Sequence, residues 1–117
     1  MEIKLKKYST TYILEVVGDM DLYSSFELKN VVTKMLAKDI KNYVVDLAKV
    51  DYIDSSGIGV LIHIYSNIKK MNRILKISNV HGSVEKVIKL TKLSQYFPIV
   101  GSVKEALLQI EQAKKVQ

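Results

Sequence analysis

The sequence predicts an α/β protein with a mixed, mainly parallel sheet of about five strands and about four helices. Three observations carry this. From residue 25 onward, short β-rich runs alternate with segments of helical apolar spacing, the pattern of βαβ units. Two strand-like segments precede that alternation with no helix between them, which adds an antiparallel pair at the start. Glycine, asparagine, proline or capping serines mark the junctions.

Taken in order, residues 2–7 alternate Ile3 and Leu5 with Lys4 and Lys6, a half-buried strand whose lysines discourage edge-to-edge pairing. Residues 11–18 form a second strand, joined to the first through Tyr8 to Thr11 as a hairpin. Ser24 and Glu27 have capping-box spacing, and Leu28, Val31, Val32, Met35 and Leu36 follow at helical spacing, so a helix is predicted over 25–37. Tyr43 to Leu47 reads as a buried central strand. A helix is predicted from about Gly57 to Met71, with Ile58, Leu61, Ile62, Tyr65 and Ile68 as its apolar stripe and Asn72 ending it in the left-handed conformation. Ile74 to Ile77 is a strand, Ser83 opens a third helix, and Ile99-Val100 is a short edge strand after Pro98. Ser102 and Glu105 make a second capping box ahead of a last helix carried by Val103, Ala106, Leu107 and Ile110.

Composition narrows the function. At 117 residues the chain reads as one domain, 1–117, large enough to bury a core without staples. It has no cysteine, so thiolate chemistry, disulfides and cysteine metal sites are excluded. No apolar stretch is long enough to span a bilayer, and the N-terminus is a poor signal peptide, so a soluble cytoplasmic protein without membrane insertion is expected. The net charge of +6 raises nucleic acid as a partner, but the lysines are scattered and Arg73 is the sole arginine. Solvated helix faces explain them better, so no direct nucleic-acid contact is expected.

The stretch "DYIDSSGIGVLI", Asp51 to Ile62, sets a carboxylate, two hydroxyls and two glycines between apolar segments. The element order puts Asp54 to Gly57 at the carboxyl end of a strand entering a helix, where open α/β sheets carry their sites and where free N–H groups favour an anion. In the plainest account, Ser55 or Ser56 caps the helix. Gly57 and Gly59 resist that account, because glycine costs a helix interior about 1 kcal/mol relative to alanine. Some close approach to the backbone is implied. A serine-hydrolase elbow fails, since Ile53 and Asp54 stand where its first glycine would be needed. A Ser56–His63 dyad fails because seven helical residues separate the groups by about 10 Å. His63 and His81 do not make a metal site, no glycine-rich phosphate loop is present, and no cofactor is expected. A phospho-aspartate receiver built on Asp54, Asp19, Asp21 and Lys104 conflicts with the N-terminal hairpin and with the placement of Lys104 at a helix start. The chain is not expected to be an enzyme.

"YVVDLAKVDYIDSSGIGVLIHIYSNIKKMNRILKISNV", together with "GDMD" at Gly18 to Asp21 and "LTKLSQYFPI" at Leu90 to Ile99, closely resembles the STAS domain family and, within it, the bacterial anti-sigma factor antagonists. The resemblance covers nearly the whole chain. It implies a mixed sheet with helices on one side. It also implies binding to an anti-sigma factor with a histidine-kinase-like ATPase fold, which releases a sigma factor. Phosphorylation of the second serine of the motif, Ser56 here, with Ser55 as the alternative, would end that binding, and a serine phosphatase would restore it. The implied partner-binding residues are Asp21, Asp54, Ser55, Ser56, Gly57, Ile58 and Gly59, on a protein expected to be monomeric. Lys92 and Asn72 stand where the family commonly has turn glycines. The remaining alternatives are an unphosphorylated STAS scaffold of a membrane transporter and the receiver.

Overall fold

The computed structural model describes residues 1–116. Strands β1 (Glu2–Tyr8) and β2 (Thr11–Val17) form an antiparallel hairpin, with Tyr8 opposite Thr11 across a two-residue turn at Ser9 and Thr10. Helix α1 (Ser25–Ala37), strand β3 (Asn42–Lys49), helix α2 (Ser55–Lys70), strand β4 (Ile74–Ser78), helix α3 (Gly82–Leu90), strand β5 (Ile99–Val100) and helix α4 (Val103–Val116) follow. The strands lie in sequence order across one five-stranded sheet, and every pairing after the first hairpin is parallel. That order leaves β1 antiparallel at one edge, which a receiver's repeated β-α order does not allow.

The strands of the sheet's middle are apolar on both faces, and this decides where the helices go. Tyr43, Val45 and Leu47 of β3 face a core closed by α1, α2 and α3. Val44, between them, faces the other way, into a second core with Ile13, Ile74, Val100, Ala106 and Ile110. Helix α4 therefore covers the opposite face, and the one-sided arrangement implied by the family resemblance is corrected. An uncovered Val44–Ile13–Ile74 patch would leave apolar area in water at a cost of roughly 25 cal/mol per Å².

Helix α2 is buried along Gly57, Ile58, Leu61, Ile64 and Ile68. Ile62 and Tyr65, expected in that stripe, are only half-buried. Tyr65 instead meets the Tyr96 ring edge-on at 5.3 Å, and the Lys69 ammonium lies over both rings. The seam is turned toward the segment linking α3 to β5.

The caps differ from expectation in instructive ways. Ser102 Oγ accepts from Glu105 N at 3.1 Å, while the Glu105 carboxylate reaches back to Gly101 N at 2.9 Å. That is a capping box shifted by one residue. The Ser24–Glu27 box does not form; the Ser24 hydroxyl is engaged by Asp19 and Asp21 instead. Helix α3 starts at Gly82, and the Ser83 hydroxyl donates to the Asp51 carbonyl.

Asn72 (φ 58°) and Lys92 (φ 61°) both adopt the left-handed conformation. The turns thus keep the geometry that glycine would relax. Asparagine tolerates this region better than lysine. Lys92→Gly is expected to raise stability by about 0.5–1 kcal/mol, the relief of left-handed strain less glycine's entropy cost. Asn72→Gly should change it less. Urea midpoints of the two variants check the difference.

Candidate functional site

The site is built where two chain segments leave the sheet side by side. Gly18 N donates to Lys49 O at 3.2 Å, Met20 N to Tyr52 O at 2.9 Å, and Asp54 N to Met20 O at 3.1 Å. Met20 pairs with Ile53 as an isolated parallel bridge, so the two segments continue the sheet briefly after β2 and β3 end. Met20 and Ile53 are both buried.

Asp54 then turns the chain into α2. Its backbone is extended (φ −113°), and its Oδ1 accepts from Ser56 N at 2.8 Å and Gly57 N at 3.2 Å. Asp54 is therefore the cap, and neither serine is. The helix also starts at Ser55, two residues before its predicted start. Aspartate caps as well as serine, and its charge suits the positive end of the helix dipole. One consequence corrects the expectation of an open anion site, because the carboxylate has already taken the N–H groups of Ser56 and Gly57.

The two glycines do different things. A Cβ on Gly57 would lie 2.6 Å from Met20 O and 2.6 Å from Ile53 Cγ1. Only glycine lets the helix start press against the bridged segments. Around Gly59 a Cβ would meet nothing within 4 Å, and the residue is exposed. Gly59 keeps the helix surface bare, whereas Gly57 and Ile58 are buried and shape that surface from beneath. Ser55 is exposed and Ser56 half-buried, with both hydroxyls left out of the cap.

Asp21 folds the neighbouring loop. Its carboxylate accepts from Tyr23 N, Ser24 N and Ser24 Oγ, each at 2.9 Å. The Ser24 hydroxyl bond, then the Ser24 amide, hold its pKa below the usual carboxylate value. Around this loop Leu22, Tyr23 (88% exposed), Phe26 and Tyr52 are exposed. Sequence reasoning missed this apolar group. Its signal is that Leu22, Tyr23 and Phe26 fall outside the inward stripe of Leu28, Val32 and Met35. His63 bonds Asn67 at 3.0 Å, so it is not paired with Ser56. Lys104 lies in the first turn of α4, past the end of β5 and not at a strand end, where a receiver would need it.

The profile of the STAS domain family matches residues 2–106, and the chain belongs to that family. It is 28% identical over 82 residues to the anti-sigma-B factor antagonist of Staphylococcus aureus (strain NCTC 8325 / PS 47), an alignment covering 70% of this chain and 76% of that protein. The fold is shared with an anti-sigma factor antagonist from Mycobacterium paratuberculosis, with TM-score 0.85 and 20% identity over 94% of this chain and 93% of that one. It is also shared with the Bacillus cell fate determinant SpoIIAA in its phosphorylated form, with TM-score 0.71 and 14% identity over 93% and 99%. A sulfate transporter family protein from Wolinella succinogenes has the same fold, with TM-score 0.79 and 17% identity over 92% and 90%.

Asp54→Ala should cost about 1 kcal/mol of stability, and Asp54→Asn much less, because asparagine still caps. Gly57→Ala should destabilise by about 1–3 kcal/mol through overpacking. Gly59→Ala should stabilise by up to about 1 kcal/mol, since helix propensity is gained in open space. Chemical denaturation of the four variants checks all of these signs.

Proposed function

We propose that this protein is an anti-sigma factor antagonist that acts in the cytoplasm as a regulatory binding protein, not as an enzyme. It binds a kinase-type anti-sigma factor with an ATPase fold through the start of α2 and the Asp21 loop. Phosphorylation of Ser56, or in the alternative Ser55, ends that binding, and a serine phosphatase restores it. The observation that carries this reading is the division of labour at the helix start. Asp54 does the capping, so two serine hydroxyls are left out of the cap beside a bare Gly59 and exposed apolar side chains. The names of the relatives support the class of partner.

The mechanism follows from charge. A phosphoryl group adds about −1.5 to −2 charges. On Ser56 it would sit on the residue whose amide is already bound by the Asp54 carboxylate. In water this repulsion is screened, and the fold tolerates it. Under a partner that excludes water, an unpaired dianion beside a carboxylate costs several kcal/mol, at least about a hundredfold in affinity.

A second reading has one observation behind it, the shared fold of the sulfate transporter family protein. In that reading the chain is a scaffold for a transporter subunit and is never phosphorylated. Affinity purification separates the two, since one predicts an ATPase-fold kinase as the retained protein and the other a membrane transporter.

With the cognate kinase, Ser56→Ala is expected to abolish incorporation of acid-stable phosphate and Ser55→Ala to retain most of it, read by intact mass. The reverse pattern moves the site to Ser55. Protein incubated with ATP alone should gain no mass. Ser56→Asp should lose part of the partner affinity at an almost unchanged thermal midpoint. A loss of affinity that appears only with a collapse in stability would refute the interface mechanism.

A further inference from the structure

The sheet ends on β1, which pairs with β2 alone. Alternate N–H and C=O groups along its outer edge thus have no strand partner among the described residues. The opposite edge, β5, is two residues long, whereas β1 runs for seven, six of them exposed. An open edge of that length is a template for another strand. Apolar surface flanks it on both faces. Toward α1, Leu5 (51% exposed) opens onto a groove of about 330 Å³ walled by Tyr12, Val31, Met35 and Ile40. On the α4 face, Tyr8 (59% exposed) borders a second groove against Leu107 and Leu108.

The charge of this edge is one-sided. Lys4, Lys6 and Lys7 stand on β1, and Lys34 and Lys38 rim the first groove, which no carboxylate lines among the described residues. Of these five lysines only Lys6 is ion-paired among the described residues, with Glu15 at 3.3 Å. Two copies of β1 paired antiparallel about their centres would set Lys4 opposite Lys6, like charges that destabilise a strand pair. The same lysines favour an acidic chain. The pleat decides what that chain carries. Ile3 and Leu5 share the α1 face of β1, and Lys4 and Lys6 share the other. A strand laid beside them therefore meets apolar and cationic side chains at alternate positions.

We propose that the open edge of β1 receives an extended acidic segment of a partner protein as an added strand, with alternate aliphatic residues entering the groove beside Leu5 and alternate carboxylates facing Lys4 and Lys6. In strand addition of this kind the main-chain bonds supply affinity and the alternating side chains supply selectivity. The proposal rests on β1 and its flanking grooves and does not depend on the function proposed for the start of α2.

The test titrates the ¹⁵N-labelled full chain with a terminally capped seven-residue peptide of alternating glutamate and valine. Amide shifts are expected along β1 and at Val31 and Ile40, and not at Ser55 or Ser56. N-methylating one set of alternate peptide residues should weaken binding at least about tenfold and N-methylating the other set should not, because only one row of N–H groups faces β1. A peptide of the same composition with its glutamates and valines in two blocks should also bind at least about tenfold more weakly. Lys4→Gln should weaken the alternating peptide about two- to fivefold, the worth of an exposed ion pair, and Lys86→Gln, on the exposed face of α3, should not. Equal binding of the block peptide, indifference to both N-methylated sets, or shifts spread over the lysine-bearing helices would reduce the effect to charge attraction and overturn the proposal. Absence of β1 shifts at millimolar peptide would overturn it too, as would self-association of the chain through β1, which would make a second copy the occupant.

Discussion

Much of this molecule hangs on one close approach, that of the first turn of α2 to Met20. The Met20 carbonyl receives the Asp54 amide, and the Met20 amide is given to Tyr52, so the loop after β2 and the loop after β3 are stitched together by alternate bonds. The absence of a side chain at Gly57 allows the helix to descend onto that seam. Everything around the helix start follows from this contact. It aligns Asp54 to cap the helix, turns Ser55 and Ser56 outward, and fixes the root of the loop that Asp21 then folds. A helix raised by the width of one methyl group would loosen all three.

The charges at this seam act locally. Asp54 satisfies the helix terminus, and Asp21 satisfies three donors of its own loop. Asp21, whose pKa is lowered in the fold, contributes stability that is complete above its unfolded pKa and lost as pH falls through the folded one. Leu22 and Tyr23 stand on the same loop and Phe26 in the first turn of α1, all exposed, so rigid polar anchoring and apolar contact area share one short segment. Aromatic and aliphatic anchors rimmed by polar groups are the usual anatomy of a protein interface.

The element order was legible because apolar periodicity is a strong local signal, and even the two-residue strand Ile99–Val100 announced itself after Pro98. The left-handed turn at Asn72 was legible for the same local reason. The place of α4 was not, because Val44 looks like any residue of a buried strand until the register shows Ile13 beside it on the far face. At the site, the motif marked the start of α2 but not the division of roles among its residues. Aspartate and serine cap equally well, so residue type leaves the choice between Asp54 and the serines open, and only the extended backbone at Asp54 decides it. The exposed Leu22, Tyr23 and Phe26 were hidden in plain apolar composition.

The two faces of the sheet are unequal. One is closed by three helices over a core of about twenty buried side chains, the other by α4 alone over Val44, Val100, Ala106 and Ile110. Cooperative units of a fold open in order of the apolar area that holds them. Helix α4 and the short β5 beside it are thus the natural first unit to detach, leaving a hairpin, two parallel crossovers and the whole α2 seam intact. Amide protons of α4 would then exchange with solvent well before those of β3. A molecule that breathes at one face while the other stays shut can shed strain without disturbing the seam at the start of α2.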